Sequence, residues 1–504
     1  MHVAGRFALS LSGALAGAAL GSLPGAAGLG AIVAGAVLGA VLGALLSQTP
    51  ASSQSGALSP LLSQAGGLLS PPRHVLERAA PLLLLVFLAP LLTMAVPPGA
   101  DMAMHTALAR GLLEGRLSPA WGALHLAAYP RGFSALVALL APLGFARAAL
   151  LVSALSYAVF WAGLAAVLEG PLGTPWPRTT ALIAVLLSRT PQSFFAWGGN
   201  PTALALGLSL LGAAALDRAR PRDGVFAALL LAGAAATHPM GACAGALVAA
   251  VIALRRRAWM AGALAAAGLL AVLGALALFG PHLSPHELDW IRDCARSAER
   301  AGTGILGDAA NVVTLLSAAV LIWKRRYAPV ALAAALLAAL LLLFAVLPLG
   351  GLYPGRFAPL LLLAVAPLWA HAADQFRQRA WLAAAALVVA VPGHLHWYQR
   401  STPIATFADV DAIACVARTV PRGAVVDGAY GDATQWIPAL TGLAVTRPHQ
   451  HCTLFDETDK ALSALPPARW RFVGQQLRYP PPIEPPPATT PVCGGALYPL
   501  GAAR

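Results

Sequence analysis

Asp101 and His105 are the residues of this chain best placed, by type and spacing, to do chemistry. They bracket the run Asp101-Met102-Ala103-Met104-His105, just after Pro97-Pro98-Gly99-Ala100. Four-residue spacing puts both side chains on one face of a helix. A carboxylate in apolar surroundings can act as a general base, and a neighbouring imidazole can orient an acceptor or hold a phosphate. Asp is also favoured as the cap of a helix start. That structural use would account for Asp101 by itself; the His105 partner turns the reading toward catalysis.

Further polar residues recur at the ends of apolar segments. In Trp197-Gly198-Gly199-Asn200-Pro201 the glycines let a ligand approach the backbone. Asn200 can hydrogen-bond a sugar hydroxyl or cap the next helix, and Trp197 can stack on a sugar face or anchor at a membrane interface. His238, before Pro239, divides two short apolar segments. A histidine so placed is commonly a packed or hydrogen-bonded residue, and it gains interest from sharing a face with the others. Arg356, in Leu352-Tyr353-Pro354-Gly355-Arg356-Phe357, carries the planar fork that binds phosphate, with snorkelling to lipid headgroups as the alternative. Tyr353, and Tyr129 and Arg131 in Tyr129-Pro130-Arg131-Gly132-Phe133, complete the expected substrate-binding set.

The elements that must position these residues are apolar. The chain of 504 residues is 58% hydrophobic and only 11% charged, which excludes an ordinary soluble domain. It reads as a polytopic, all-α membrane protein of about 11–13 spans. The net charge of +13 is a topology signal rather than a nucleic-acid footprint. Its arginines fall in short loops, at Arg218/Arg220/Arg222, Arg255–Arg257 and Lys324–Arg326, and such loops face the cytoplasm. Asp101, Trp197–Asn200, His238 and Tyr353–Arg356 then share the opposite face. An Ala-, Leu- and Gly-dominated composition suits a multi-pass protein of the bacterial inner (plasma) membrane.

Along the chain, residues 1–47 predict a glycine-zipper transmembrane hairpin, with Gly13, Gly17 and Gly21 and then Gly35, Gly39 and Gly43 spaced by four. Residues 48–78 are a cytoplasmic linker and residues 79–394 the main membrane domain. Its outer loop, 97–130, should contain an interfacial helix at 101–115. The stretch 132–143 is too short to cross and should be re-entrant. Residues 224–254 form a hairpin that turns at His238. Residues 395–504 lack long apolar runs and read as a small extracytoplasmic α/β domain. Its expected helices are 406–418 and 457–464, and its expected strands 423–428, 470–475 and 495–499. An oxidising compartment permits disulfides there, and Cys452 with Cys493 is the expected pair. No Cys/His zinc spacing and no Walker, GxSxG, HExxH or dinucleotide-binding motif is present.

These segments together resemble the GT-C superfamily of polyprenol-dependent membrane glycosyltransferases. The likeness rests on Asp101–His105, Tyr129–Phe133, Trp197–Pro201, Thr237-His238-Pro239 and the tail run Asp432–Gly442. It implies a GT-C-like helical bundle and a polyprenyl-phosphate-linked sugar as donor. The acceptor would be a cell-envelope glycan, lipid or protein at the outer face of the bilayer. It implies that Asp101 deprotonates the acceptor and that Arg356, with His238, neutralises the departing phosphate, with inversion at the anomeric carbon. Some such families use a divalent cation and others none, and no metal ligands are assigned here. The chain departs from the pattern in carrying Asp-x-x-x-His where many relatives show paired acids, and in its N-terminal hairpin. Two other classes compete: a transporter or lipid-linked glycan flippase, and a non-catalytic envelope-assembly scaffold. The near-absence of acids from helix centres disfavours transport.

Overall fold

The computed structural model describes residues 73–115, 130–187, 198–279, 309–331, 361–376, 403–429, 431–448, 463–476 and 489–500, with a few isolated residues besides. The expected hairpin at 1–47, most of the linker and the expected helix at 457–464 lie largely outside them.

The helical part comprises α1 (Arg73–Leu92), α2 (Asp101–Glu114), α3 (Gly132–Leu139), α4 (Phe145–Glu169), α5 (Pro177–Leu187), α6 (Asn200–Leu216), α7 (Pro221–Thr237), α8 (Pro239–Arg256), α9 (Trp259–Phe279), α10 (Ala309–Trp323) and α11 (Leu361–Asp374). Among the described residues four helices are long and apolar enough to cross a membrane: Val75–Leu92, Phe145–Glu169, Pro239–Arg256 and Trp259–Leu278. A largely helical fold with four candidate membrane-spanning helices among the described residues is thus present, at a coarser level than the expected 11–13 spans.

Glycine contacts fix how the helices run. Asn200 meets Ser153, Gly207 meets Val159 and Phe160, and Gly170 approaches Asp217, so α4 and α6 are parallel. A Cβ on Gly207 would fall 2.6 Å from the Val159 carbonyl oxygen, so only glycine permits this crossing. Gly241 meets Thr202 and Arg256 binds Asp217, so α8 runs alongside them in the same direction. Between α6 and α8 the chain returns through α7, whose Gly224 packs on Ala261 at the start of α9. Glu77 in α1 accepts from the backbone N–H groups of Arg178 and Thr179, which sets the start of α5 beside the start of α1. The arginine-rich turns therefore share one end of the bundle. The starts of α6 and α8 share the other, here termed the mouth.

The stretch expected to be re-entrant is a short helix packed beneath the C-terminal region. It forms α3, eight residues long, then a 3-10 turn at Ala141–Leu143, and Gly144 (φ +92°) opens α4. α3 starts at the mouth, where Gly132 packs on Ala236 and Thr237, and its Phe133, Val137 and Ala138 join a core outside the bundle. With α3 set aside, α1, α4, α5, α6, α7, α8 and α9 run alternately toward and away from the mouth.

Two cores result. One fills the bundle, with Leu84, Phe87, Leu164, Leu182, Leu206, Leu231 and Val248 among its residues. The second joins α2, α3 and the start of α4 to the C-terminal region through Met102, Ala107, Phe133, Val152, Ile413, Val426, Trp436 and Phe472. The helix expected along the membrane interface is therefore buried: Met102 through Ala109 are all covered, and Met102, Ala103, Ala107, Leu108 and Ala109 belong to this second core.

The C-terminal region folds as α12 (Phe407–Thr419), β1 (Val425–Asp427), α13 (Ile437–Thr441), β2 (Ala444–Val445), β3 (Trp470–Phe472) and β4 (Leu497–Pro499). The sheet order is β2-β1-β3-β4, parallel except for β3 with β4. α12 begins with a capping box in which Thr406 and Asp409 satisfy each other's backbone donors. A disulfide joins Cys415 on α12 to Cys493 before β4. Cys493 thus pairs with Cys415 rather than with Cys452. Sequence proximity favoured the second cysteine of the tail, but the sheet brings β4 back beside α12.

Candidate functional site

Four helices begin at or near the mouth. α2 begins at Asp101, which is partly exposed, after Gly99 (φ +93°). Ala100 holds the cap position, and no side chain caps the helix. Asp101 is therefore an acid of the first turn, favourably placed toward the helix dipole, and not the cap that its residue type suggests.

Gly198 sets the position of Asp101. Its φ is +99°, and a Cβ added to it would lie 2.9 Å from the Asp101 Cβ. Gly198 and the start of α2 are therefore packed closely against each other. Asn200, the first residue of α6, is wholly buried. It donates to Ser153 Oγ of α4 at 2.9 Å and lies 3.1 Å from Met102 Sδ of α2. Asn200 is thus a bracket among three helices beneath Asp101.

His238 stands in extended backbone between α7 and α8, 7% exposed, and its Nδ1 accepts from the Gly241 N–H at 3.5 Å. It caps α8, followed by Pro239 at the first helical position, where a missing N–H costs nothing. Gly132 lies against Thr237, with a Cβ there 2.9 Å from Thr237 Oγ1, so the exposed Arg131 stands next to this turn. His105 is one turn along α2 from Asp101 but only 2% exposed, with its ring 5.5 Å from that of Phe133. It is buried against Phe133 of the second core and not at the surface of the mouth. Trp197, Tyr129, Tyr353 and Arg356 lie outside the described residues.

The electrostatic result is simple. Helix N-termini carry partial positive charge and unpaired N–H donors, which suit anions. Among the first turns of α2, α3, α6 and α8, Asp101 is the only acid. Arg131 adds a full positive charge. The arrangement can hold an anionic group and offers one carboxylate as a proton acceptor beside it. Among the described residues no three His, Cys, Asp or Glu side chains gather as they would around a metal ion. For a divalent cation the described mouth supplies Asp101 as its only carboxylate.

The C-terminal region is fastened to the far end of α2. Arg110 donates to the carbonyl oxygens of Ala439 and Leu440, each at 2.8 Å, and pairs with Glu114 at 2.7 Å. Its guanidinium also lies 4.5 Å from the centre of the Phe145 ring at the start of α4. The run Asp432–Gly442 is thus docked on the helix that carries Asp101. Within it Asp432 is 2% exposed and accepts from the N–H groups of Thr434 (2.8 Å) and Gly474 (3.2 Å). Burial pushes its carboxyl up to about 6, the nearby Asp409 charge adds to that, and those N–H bonds oppose it.

Arg110 and Ser153 were not among the residues picked out from sequence. Each had a signal: Arg110 is the one basic residue in Asp101–Glu114, and Ser153 is a rare polar residue in a 25-residue apolar helix. Compared with known proteins, the chain matches no family model and no curated protein.

Proposed function

We propose that this protein is a membrane-embedded glycosyltransferase of GT-C type, using a polyprenyl-phosphate-linked sugar. The observation that carries the reading is the mouth: one partly exposed carboxylate, Asp101, among helix N-termini suited to an anion. Asp101 takes the proton of an acceptor hydroxyl, and the hydroxyl oxygen attacks the anomeric carbon. The bond from that carbon to the phosphate oxygen breaks on the opposite face, and the polyprenyl phosphate leaves with the electron pair. The helix N-termini and Arg131 receive that charge, together with Arg356 as the resemblance implies. The Cys415–Cys493 disulfide supports an extracytoplasmic location for the C-terminal region, since such bonds persist in oxidising compartments. The arginine-rich turns at the other end support the same orientation, in the inner membrane of a bacterium.

The test is transfer of radiolabelled sugar from polyprenyl-phosphate donors in membranes holding matched amounts of wild type and Asp101→Asn. Loss of a general base lowers the rate by about 100-fold or more. Equal transfer by both proteins removes Asp101 from the mechanism. No transfer from any donor by folded wild type favours transport or scaffolding.

A further inference from the structure

Asn200 opens α6 without capping it. The residue type is favoured as a cap, where its own oxygen takes a backbone N–H. Here Gly199 holds the cap position, no side chain caps the helix, and Asn200 is wholly buried. Its amide is turned sideways, into α4 and α2. Ser153 fixes which way round the amide lies. The Ser153 hydroxyl gives its one hydrogen to the Ala149 carbonyl oxygen at 2.7 Å, so toward Asn200 it can only accept. The amide nitrogen must therefore face Ser153, at 2.9 Å, and its second hydrogen falls to Met102 Sδ at 3.1 Å. Both donors are then spent. The Oδ1 atom is buried, and among the described residues it has no hydrogen-bond partner. A buried acceptor left unpaired destabilises, so stability gives a poor account of an amide at this place.

The seating of α2 gives a better account. α4 and α6 form a rigid base, because Gly163 and Gly207 let their backbones touch. α2 is a separate, shorter helix that starts soon after the left-handed Gly99. Residues 198–200 seat it on that base at two successive positions. Gly198 packs on Asp101, and Asn200 binds Met102. We infer that Asn200 is a positioning residue for Asp101, acting through Met102 and held in orientation by Ser153. It touches no substrate in this role. The role rests on the reading of Asp101 as the general base, while the placement itself is measurable without the reaction.

The experiment compares wild type, Asn200→Ala, Ser153→Ala, their double variant and Ser156→Ala, each as full-length protein in detergent. Ser156 is the control for a lost serine hydroxyl: it is wholly buried on α4 and donates to the Val152 carbonyl oxygen at 2.7 Å, away from Asn200. Two quantities are read: kcat and KM for sugar transfer, and backbone amide exchange in α2 by mass spectrometry. Ser153→Ala should lower kcat about tenfold, the upper worth of one neutral hydrogen bond, with KM little changed. Asn200→Ala should lose at least as much. The double variant should be no worse than Asn200→Ala, because both single changes break the same bond. Exchange at the start of α2 should speed up in these three and not in Ser156→Ala. Should Asn200→Ala fold poorly, Ser153→Ala carries the test, since it removes a single oxygen. Unchanged kcat and exchange in folded Ser153→Ala would overturn the inference. So would an equal effect of Ser156→Ala, or fully additive losses in the double variant. A raised KM with kcat unchanged would make Asn200 a ligand of the substrate and refute the positioning role. Asp101→Asn is run alongside to separate the two ideas. Transfer equal to wild type there removes the reading of Asp101 as base, and the exchange in α2 then decides the placement by itself.

Discussion

Replacing Gly198 by alanine tests whether the mouth is positioned by backbone packing. The new Cβ would lie 2.9 Å from the Asp101 Cβ and 3.1 Å from the Met102 nitrogen. Ordinary contact requires about 0.5 Å more, and the neighbour on that side is the first turn of α2, so Asp101 itself must move. The backbone angle of +99° adds strain of about 1–3 kcal/mol for any residue with a Cβ. Misplacement by 1 Å costs a reaction about 100-fold, so half of that should lower kcat by about tenfold. KM should change little, because the anion-binding helix starts remain. The control is Gly115→Ala at the other end of α2. There φ is +62° and nothing lies within 4 Å of the added Cβ, so it meets backbone strain without a clash. Thermal unfolding in detergent and the transfer assay should then separate the two variants. Both should lose stability, Gly198→Ala more, and only Gly198→Ala should lose rate. Equal loss of rate in both, or full rate in a folded Gly198→Ala, would refute the argument.

Two further outcomes follow from the C-terminal region. The Cys415–Cys493 bond closes a separation of 78 residues, which on loop-closure entropy is worth about 4.5 kcal/mol. Peptide mapping without reductant should find this pair linked, and the Cys415→Ser/Cys493→Ser double variant should unfold at a clearly lower temperature. Asp432 has its carboxyl raised to about 6 from 3.8, so the folded state binds its proton more tightly than the unfolded chain does. Its contribution is therefore complete below about pH 4 and is lost as pH rises through 6, a change of roughly 3 kcal/mol at most. Melting temperature against pH should show that decline between 4 and 6 in wild type and not in Asp432→Asn.

The apolar runs made much of the helical fold legible, because a membrane-length helix needs little besides length and hydropathy. α4, α8 and α9 lie close to where those runs fall, and the turn at His238 is marked by its Pro. α12 lies within a residue of the expected 406–418, since its Thr406 cap is local. The fate of 132–143 was not legible. Eight apolar residues give no sign of what they pack on, and only the fold puts Phe133 and Val137 in the core shared with the C-terminal region. β2 is two residues long and leaves no periodic trace. The burial of His105 was hidden for a related reason. Four-residue spacing places it with Asp101 on one face but does not say how far along that face the covering domain reaches. The juxtaposition of Gly198 with Asp101 needs the fold itself, because nearly a hundred residues separate them.

α2 has a consequence for how the protein is made. Its inward face, Met102, Ala103, Ala107 and Leu108, shares a core with Trp436 and Ile437, and the turn Ala433–Trp436 and α13 pack on α2. A ribosome delivers α2 long before it delivers that cover. Through most of synthesis the segment bearing Asp101 therefore lacks its final packing partners and the Arg110 clamp on Ala439 and Leu440. A nascent chain halted before Ala433 would hold all the residues described at the mouth and lack both the Trp436 cover and the Arg110 clamp.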